Sequence, residues 1–428
     1  MPPTSPRLST VLPPLVLGTA TFNSQYNPDP NLLPTTEIVQ QALSHGVRAF
    51  DTSPYYGPAE DLLGKALATD FVRSRFPRRD YFLLTKVGRI SGSVFDYSAQ
   101  WVRQSVLRSL ERLRTEYLDV VYCHDVEFVS ADEVLTAVTE LRRIREETGI
   151  VKHVGISGYP VEVLSDRAQM ILDKTDEPLD IVMSYANFTL QNTQLQSTGL
   201  PRLQAAGVDV VPNASVLGMG LLRRTGVPIG AHGDFHPSPS GLREAIRDAS
   251  ASCDEFGDKI EKIAIRYAME RWMREGEAVG SRGDPASGVP WERTRPEEVG
   301  GRKRGVSVMG VSNVEELDET LRVWRSILDG LEDGEETALR SGRGKSDRDW
   351  SLARQQEVTQ RAAGIRHIMQ DWIDYTWPSP PPGFVNQRKV DDVSDPQQLP
   401  TPESSPDTIP TVTPHDEENT DHLDRELA

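Results

Sequence analysis

The sequence is poor in cysteine, in long apolar runs and in clustered basic charge. Cys123 and Cys253 are the two cysteines of 428 residues, too few for a disulfide framework. A reducing compartment is the expectation. No apolar stretch approaches the roughly 18 residues that span a bilayer. Leu12–Leu17 is short and broken by Pro13 and Pro14, so neither a membrane span nor a cleaved leader is expected, and the location expected is cytoplasmic. Acidic residues outnumber basic ones, 64 to 47, which argues against a nucleic-acid binder, because phosphate affinity comes from clustered Lys and Arg. The short basic run Gly301–Arg304 reads as a surface loop. The eight histidines show no ligand spacing, so no metal is expected. The oligomeric state is not encoded in any pattern we can read.

What is present is alternation. Short apolar runs at Leu15–Leu17, Ala49–Phe50, Phe82–Thr85, Leu118–Tyr122, His153–Ile156, Ile181–Met183, Val208–Val211 and Val306–Met309 read as strands buried on both faces. Helix-period segments lie between them, among them Thr35–Leu43, Ser98–Arg114, Ala131–Glu147 and Asp258–Arg274. Eight strands alternating with helices predict an α/β fold with an all-parallel sheet closed into a (β/α)8 TIM barrel. The alternative, an open doubly wound sheet, wants a Gly-x-Gly-x-x-Gly turn after its first strand, and none is there. Two segments break the alternation. Residues 277–304, rich in Gly, Pro and charge, read as an inserted loop. The C-terminal part begins with a helical segment, Trp350–Tyr375, and continues as a Pro-rich tail expected to be disordered. From Asp391 to Ala428 the tail holds eleven Asp or Glu against one Arg, more than half of the net charge of −17. The expected organisation is a barrel over 1–376 and a tail over 377–428.

On such a barrel, side chains at the C-terminal strand ends converge on one mouth. Asp51 follows the second strand, with Tyr56 in the loop after it; Lys86 ends the third and His124 follows the fourth. A phenol with a pKa near 10 is a poor acid or base at neutral pH. An ammonium from Lys86 would stabilise its phenolate and lower that value, Asp51 would hold Lys86 charged, and His124 would polarise a substrate oxygen. The group suits moving a proton on or off an oxygen while a hydride leaves or joins the adjacent carbon. Hydride transfer needs a nicotinamide, since no side chain carries hydride.

The stretches FDTSPYYGPAEDLLGKAL, LLTKVGR, LDVVYCHDVEF and VMGVSNVEELDETL resemble the aldo-keto reductase superfamily from Pro14 to about Trp324. That resemblance implies the same barrel and makes Asp51, Tyr56, Lys86 and His124 the catalytic tetrad, with Tyr56 as acid/base. YCHDVEF, VPNASVLGMGLL and FHPSPSGLREA resemble the branch of L-galactose dehydrogenase and fungal D-arabinose 1-dehydrogenase. The branch implies oxidation of a sugar's anomeric carbon to a lactone with NAD, D-arabinose or L-galactose being the small-molecule substrate. By the same resemblance the cofactor falls on Gly18, Thr19, Ser157, Ser184, Ser215, Leu217, Gly310, Ser312, Glu316 and Thr320.

The sequence has its own handle on the nucleotide. Residues 310–316, GVSNVEE, join the last strand to its helix, whose amides suit an anion. Glu315 and Glu316 would repel a 2′-phosphate and accept from ribose hydroxyls, which favours NAD over NADP. Three places depart from the wider superfamily: Ser157-Gly158, Ser184-Tyr185 and Asn213–Ser215. The sugar branch departs at the same places. The rival readings are an NADPH-dependent aldehyde or ketone reductase and a non-catalytic nucleotide-binding regulatory subunit.

Overall fold

A computed structural model describes residues 5–227, 235–283, 303–331 and 345–388. Its eight strands are β1 (Leu15–Gly18), β2 (Ala49–Asp51), β3 (Phe82–Val87), β4 (Leu118–His124), β5 (Val151–Gly158), β6 (Ile181–Tyr185), β7 (Asn213–Ala214) and β8 (Ser307–Gly310). They close into a barrel in chain order, β8 pairing back onto β1, and every pairing is parallel. The (β/α)8 barrel read from the alternation is therefore the fold.

Strand period explains how the barrel fills. Side chains alternate between the two faces. Val16, Ala49, Leu84, Val120, Tyr122, Ile181 and Val308 pack together, with Leu8 and Leu12 of the N-terminal segment in the same cluster. Leu17, Phe50, Leu83, Val121, Cys123, Ile156 and Val182 belong instead to the cluster shared with the helices. This parity decides the site. Asp51, Lys86 and His124 lie two residues beyond Ala49, Leu84 and Tyr122, so all three point inward at the C-terminal end.

The seventh strand sits later than the apolar run Val208–Val211 suggested. Pro212 has no N–H to give a ladder, so pairing is split around it. Val210 bridges only Ile181, and the ladder to β8 begins at Asn213, opposite Ser307. The Val211 amide turns away to the Val279 carbonyl.

The insertion at 277–304 is pinned at its base by an antiparallel bridge between Ser281 and Arg304; 284–302 lie outside the described residues. The late helix runs Lys345–Met369, and a 3-10 turn covers Gln370–Trp372. Val358, Ala362, Ile365 and Met369 pack on the helices Ser240–Glu255 and Ile260–Glu275. The described residues continue past the expected boundary at 376/377. Residues 377–388 pack back onto the barrel, because Trp377 and Phe384 each find an aromatic partner there. Residues 389–428, the acidic remainder, lie outside the described residues. Among the described residues no helix is long and apolar enough to cross a membrane.

Candidate active site

The barrel brings together the four residues read from the sequence. Lys86 Nζ donates to Asp51 Oδ1 at 2.6 Å and to the Thr52 carbonyl at 2.8 Å. Both side chains are almost wholly buried, 1 % and 4 % exposed, so removing either would leave the other without its partner in a dry site. Lys86 Nζ also lies 4.8 Å from the centre of the Tyr56 ring. The His124 ring meets the Tyr56 ring edge-on at 5.7 Å. A tight turn makes this possible: the Tyr56 amide donates to Ser53 O, and Gly57 follows at φ +57°.

His124 is fixed on two sides. Its carbonyl accepts from the Tyr97 hydroxyl at 2.5 Å, and its Nδ1 lies 3.1 Å from Ser53 Oγ. Ser53 Oγ already accepts the Tyr55 amide, which leaves its own hydrogen for Nδ1. With Ser53 donating to Nδ1, the imidazole proton sits on Nε2, on the side of Asp125 Oδ2. Burial, helped by Lys86 and Arg89 and opposed by Asp125, pushes His124 down to about 3. At neutral pH it is a neutral imidazole that can donate a hydrogen bond without carrying charge.

Tyr56 departs from expectation. Burial first, then the nearby carboxylates of Asp51 and Asp125, hold its phenol well above the ordinary value. The Lys86 ammonium near the ring does not outweigh them. In the free protein Tyr56 is therefore a phenol, a proton donor. Burial also pushes Asp51 upward, with Lys86 opposing.

Sequence reading missed a second charged layer. Arg89, two residues past β3, is ion-paired with Asp125, donates to Tyr55 Oη at 3.0 Å and lies 3.8 Å over the Tyr55 ring. Asp125 stands in the left-handed region at φ +57°, uncommon for a non-glycine, and its Oδ2 lies 3.6 Å from His124 Nε2. Burial pushes Asp125 up, yet the charge and hydrogen bond of Arg89 and the charge of Lys86 hold it below the ordinary carboxylate value. Glu127 is buried two residues on. Burial, then the like charge of Asp125, raises it to about 8. Its Oε1 accepts from the Tyr159 amide at 3.1 Å, and its Oε2 lies where a side chain at Gly158 would go, 2.4 Å from the ideal Cβ. Position 158 is thus glycine because Glu127 occupies its space. The available signal was the acid pair in His-Asp-Val-Glu directly after a strand.

The residues expected at the cofactor run round the mouth from β5 to β1, with Ser157 in register with His124 and Gly18 with Asp51. Gly18 and Gly310 face each other across β1 and β8. The Thr19 amide donates to Asp51 O, and its buried hydroxyl has no partner among the described residues. Ser157 and Ser184 end β5 and β6, with Ser184 Oγ accepting from Asn187. Ser215 follows β7 at φ +55° and opens the turn that carries Leu217. Ser312 Oγ accepts from Asn27. Thr320 lies on the buried stripe of the helix Val314–Asp329 beside Leu317 and Leu321. At that helix start Asn313 caps Glu316 N at 2.8 Å, while the Val314 and Glu315 amides have no intrahelical acceptor. Glu316 is already engaged: one oxygen accepts from Ser312 N at 2.8 Å, the other from Arg223 at 3.1 Å. The helix-start amides and the Thr19 hydroxyl, without an acceptor among the described residues, are donors that fit a dinucleotide's anionic and amide groups.

Comparison with known proteins agrees with this geometry. The chain is 44 % identical over 268 residues to D-arabinose 1-dehydrogenase of Saccharomyces cerevisiae, covering 62 % of this chain and 78 % of that one. It is 37 % identical over 235 residues to L-galactose dehydrogenase of Arabidopsis thaliana, covering 54 % and 68 %. It is 26 % identical over 269 residues to D-threo-aldose 1-dehydrogenase of a Pseudomonas species, covering 57 % and 78 %. The model of the aldo/keto reductase family matches residues 14–330, and the chain belongs to that family.

Proposed function

We propose that this protein, an NAD(P)-dependent oxidoreductase by family, oxidises the anomeric carbon of an aldose to the lactone, with D-arabinose the first candidate and L-galactose the second. The observation that carries the reading is the cluster of Asp51, Lys86, Tyr56 and His124 at the mouth. The names of its relatives, an arabinose and a galactose dehydrogenase, support the substrate class.

When bound, the nicotinamide supplies the hydride acceptor. The chain's own residues do the rest. His124, neutral with its proton on Nε2, donates to the anomeric oxygen and orients it. Tyr56 Oη takes the hydroxyl proton as the C–H bond gives up its hydride, and the carbonyl of the lactone forms at that carbon. Tyr56 must be a phenolate to do this, and Lys86, fixed by Asp51, is the cation that makes the phenolate tolerable in a buried site. NAD is the favoured acceptor, supported by two carboxylates, Glu315 and Glu316, in the first turn of the helix after β8 and by the engagement of Arg223 with Glu316.

The protonated state of Tyr56 in the free chain favours one second reading, reduction of a carbonyl with Tyr56 as acid. Initial rates with NAD and sugars, set against NADPH and simple aldehydes, separate the two. A strong preference for NADPH and aldehydes would sink the sugar dehydrogenase reading.

A further inference from the structure

Successive strand residues point to opposite faces, so an extended residue after His124 would aim its side chain out of the barrel. Asp125 does not. It stands in the left-handed region at φ +57°, ψ +61°, and its carboxylate turns back towards the His124 ring, with Oδ2 3.6 Å from Nε2. That nitrogen carries the imidazole proton, because Ser53 donates to Nδ1. A donor for one oxygen and an acceptor for a hydroxyl therefore stand side by side at the reacting end of the pocket.

Arg89 fixes the acceptor. It ion-pairs with Asp125, donates to Tyr55 Oη at 3.0 Å and lies 3.8 Å over the Tyr55 ring. The Tyr55 ring meets the His124 ring edge-on at 5.8 Å, and Gln25 Nε2 reaches the same Tyr55 oxygen at 3.5 Å. Despite burial, Arg89 helps to keep Asp125 below the ordinary carboxylate value, so it is an anion, and a carboxylate only accepts. The proton transfer described above uses Asp51, Tyr56, Lys86 and His124 and leaves Asp125 without a part. Buried ion pairs add little stability over apolar packing of the same volume, so stability does not account for one placed against the reacting nitrogen.

One feature of a cyclic aldose matches this pair. Its anomeric carbon has two ring neighbours, the ring oxygen and C2. The ring oxygen has no hydrogen to give, and its lone pairs would face the carboxylate. The C2 hydroxyl has a hydrogen to give. With the anomeric oxygen on His124 Nε2, the ring is therefore favoured in the orientation that turns C2 towards Asp125.

We propose that Asp125 accepts a hydrogen bond from the hydroxyl on the carbon next to the reacting carbon, the C2 hydroxyl of an aldose, and so selects 2-hydroxy substrates. Arg89 is a positioning residue that holds the carboxylate in place. The sugar form of this proposal rests on the proposed activity.

The test compares D-arabinose with 2-deoxy-D-ribose, which is D-arabinose without its C2 hydroxyl. The proteins are full-length wild type, Asp125→Ala, Asp125→Asn, Arg89→Met and Arg89→Lys. The readout is the ratio of the two kcat/KM values in each protein, and comparing ratios between proteins cancels the intrinsic reactivity of the two sugars. The wild type should favour D-arabinose by about 10- to 100-fold, the range of one hydrogen bond to a charged group. Asp125→Ala should lower that ratio about tenfold or more, losing far more activity on D-arabinose than on the deoxy sugar. Asp125→Asn keeps the shape and a neutral acceptor, so its ratio should fall between the two. Arg89→Met should lower the ratio, and Arg89→Lys, which keeps a cation, should restore most of it. A merely structural role would lower both kcat/KM values together. A ratio unchanged from wild type in Asp125→Ala overturns the proposal; if that variant does not fold, an unchanged ratio in Asp125→Asn does the same. If the wild type oxidises no sugar, the proposed activity falls separately, and the ratio is taken from NADPH-dependent reduction of lactaldehyde and propanal, which differ by the same hydroxyl. Where nothing turns over, it is taken from the Kd values of the two sugars for the nucleotide-bound protein.

Discussion

The two halves of the barrel mouth are built from different materials. The side following β2, β3 and β4 is a network of buried titratable groups: Asp51, Lys86, His124, Asp125 and Glu127 with Arg89 at its edge. The side following β7, β8 and β1 is mostly backbone and small residues: Gly18, Ser215, Gly310, Ser312 and a helix start. Charged side chains concentrate where a proton must move, and amides with little covering them line the place suited to a long anionic ligand. A side-chain substitution should therefore be severe on the first side and mild on the second.

The largest effect should follow Tyr56→Phe. Loss of the phenol should lower kcat by about 10²–10⁴-fold, the usual share of a positioned acid or base, with nucleotide Kd unchanged. Loss of nucleotide binding as well would break the division between the two sides. Next comes Lys86→Met. Removing one partner of a buried pair costs about 3–5 kcal/mol where the remaining charge cannot escape. Asp51 can protonate, which should limit the loss of stability, but turnover should fall with the loss of the cation beside Tyr56. Thermal unfolding and single-turnover oxidation, read together, separate these two consequences.

A third prediction concerns pH. Tyr56 is held as a phenol, so the phenolate fraction grows as pH rises, and sugar oxidation should accelerate through the alkaline range while carbonyl reduction does not. Equal pH profiles in the two directions would contradict Tyr56 as the proton-transfer group. A fourth concerns Glu127, which faces Asp125, Tyr97, Tyr159, Tyr185 and Ser379. Its folded value of about 8 stands above the ordinary 4.5. Folding therefore favours the protonated acid, and that stability is complete below 4.5 and is lost as pH rises towards 8. Glu127→Gln, neutral throughout, should gain in Tm over the wild type across that window and stop gaining above it. The smallest effect should be Glu316→Ala, which frees Arg223 and should shift the NAD to NADP preference by a modest factor, measured as a ratio of kcat/KM values.

Much of the first side was legible from residue order alone. Asp51, Lys86 and His124 end strands whose inward parity is set by Ala49, Leu84 and Tyr122, so an eight-strand reading already brings them together. The seventh strand was misplaced because an apolar run looks like a strand whether or not Pro212 interrupts its ladder. Arg89, Glu127 and the packing of residues 377–388 were missed for another reason. Phe384 and Asn386 bind residues almost 300 positions earlier in the chain, and no local pattern records a contact of that range. The direction of the Tyr56 shift was missed because it depends on how deeply the ring is buried and on how near Asp51 and Asp125 come to it, which are properties of packing.

The most direct test of the central claim is the rise in NADH absorbance when the purified protein meets NAD and D-arabinose, with L-galactose and D-glucose alongside. The account predicts rapid NADH formation with the first two sugars, little with D-glucose, and rates that climb with pH. No signal with any sugar, together with NADPH consumption by simple aldehydes, would contradict it.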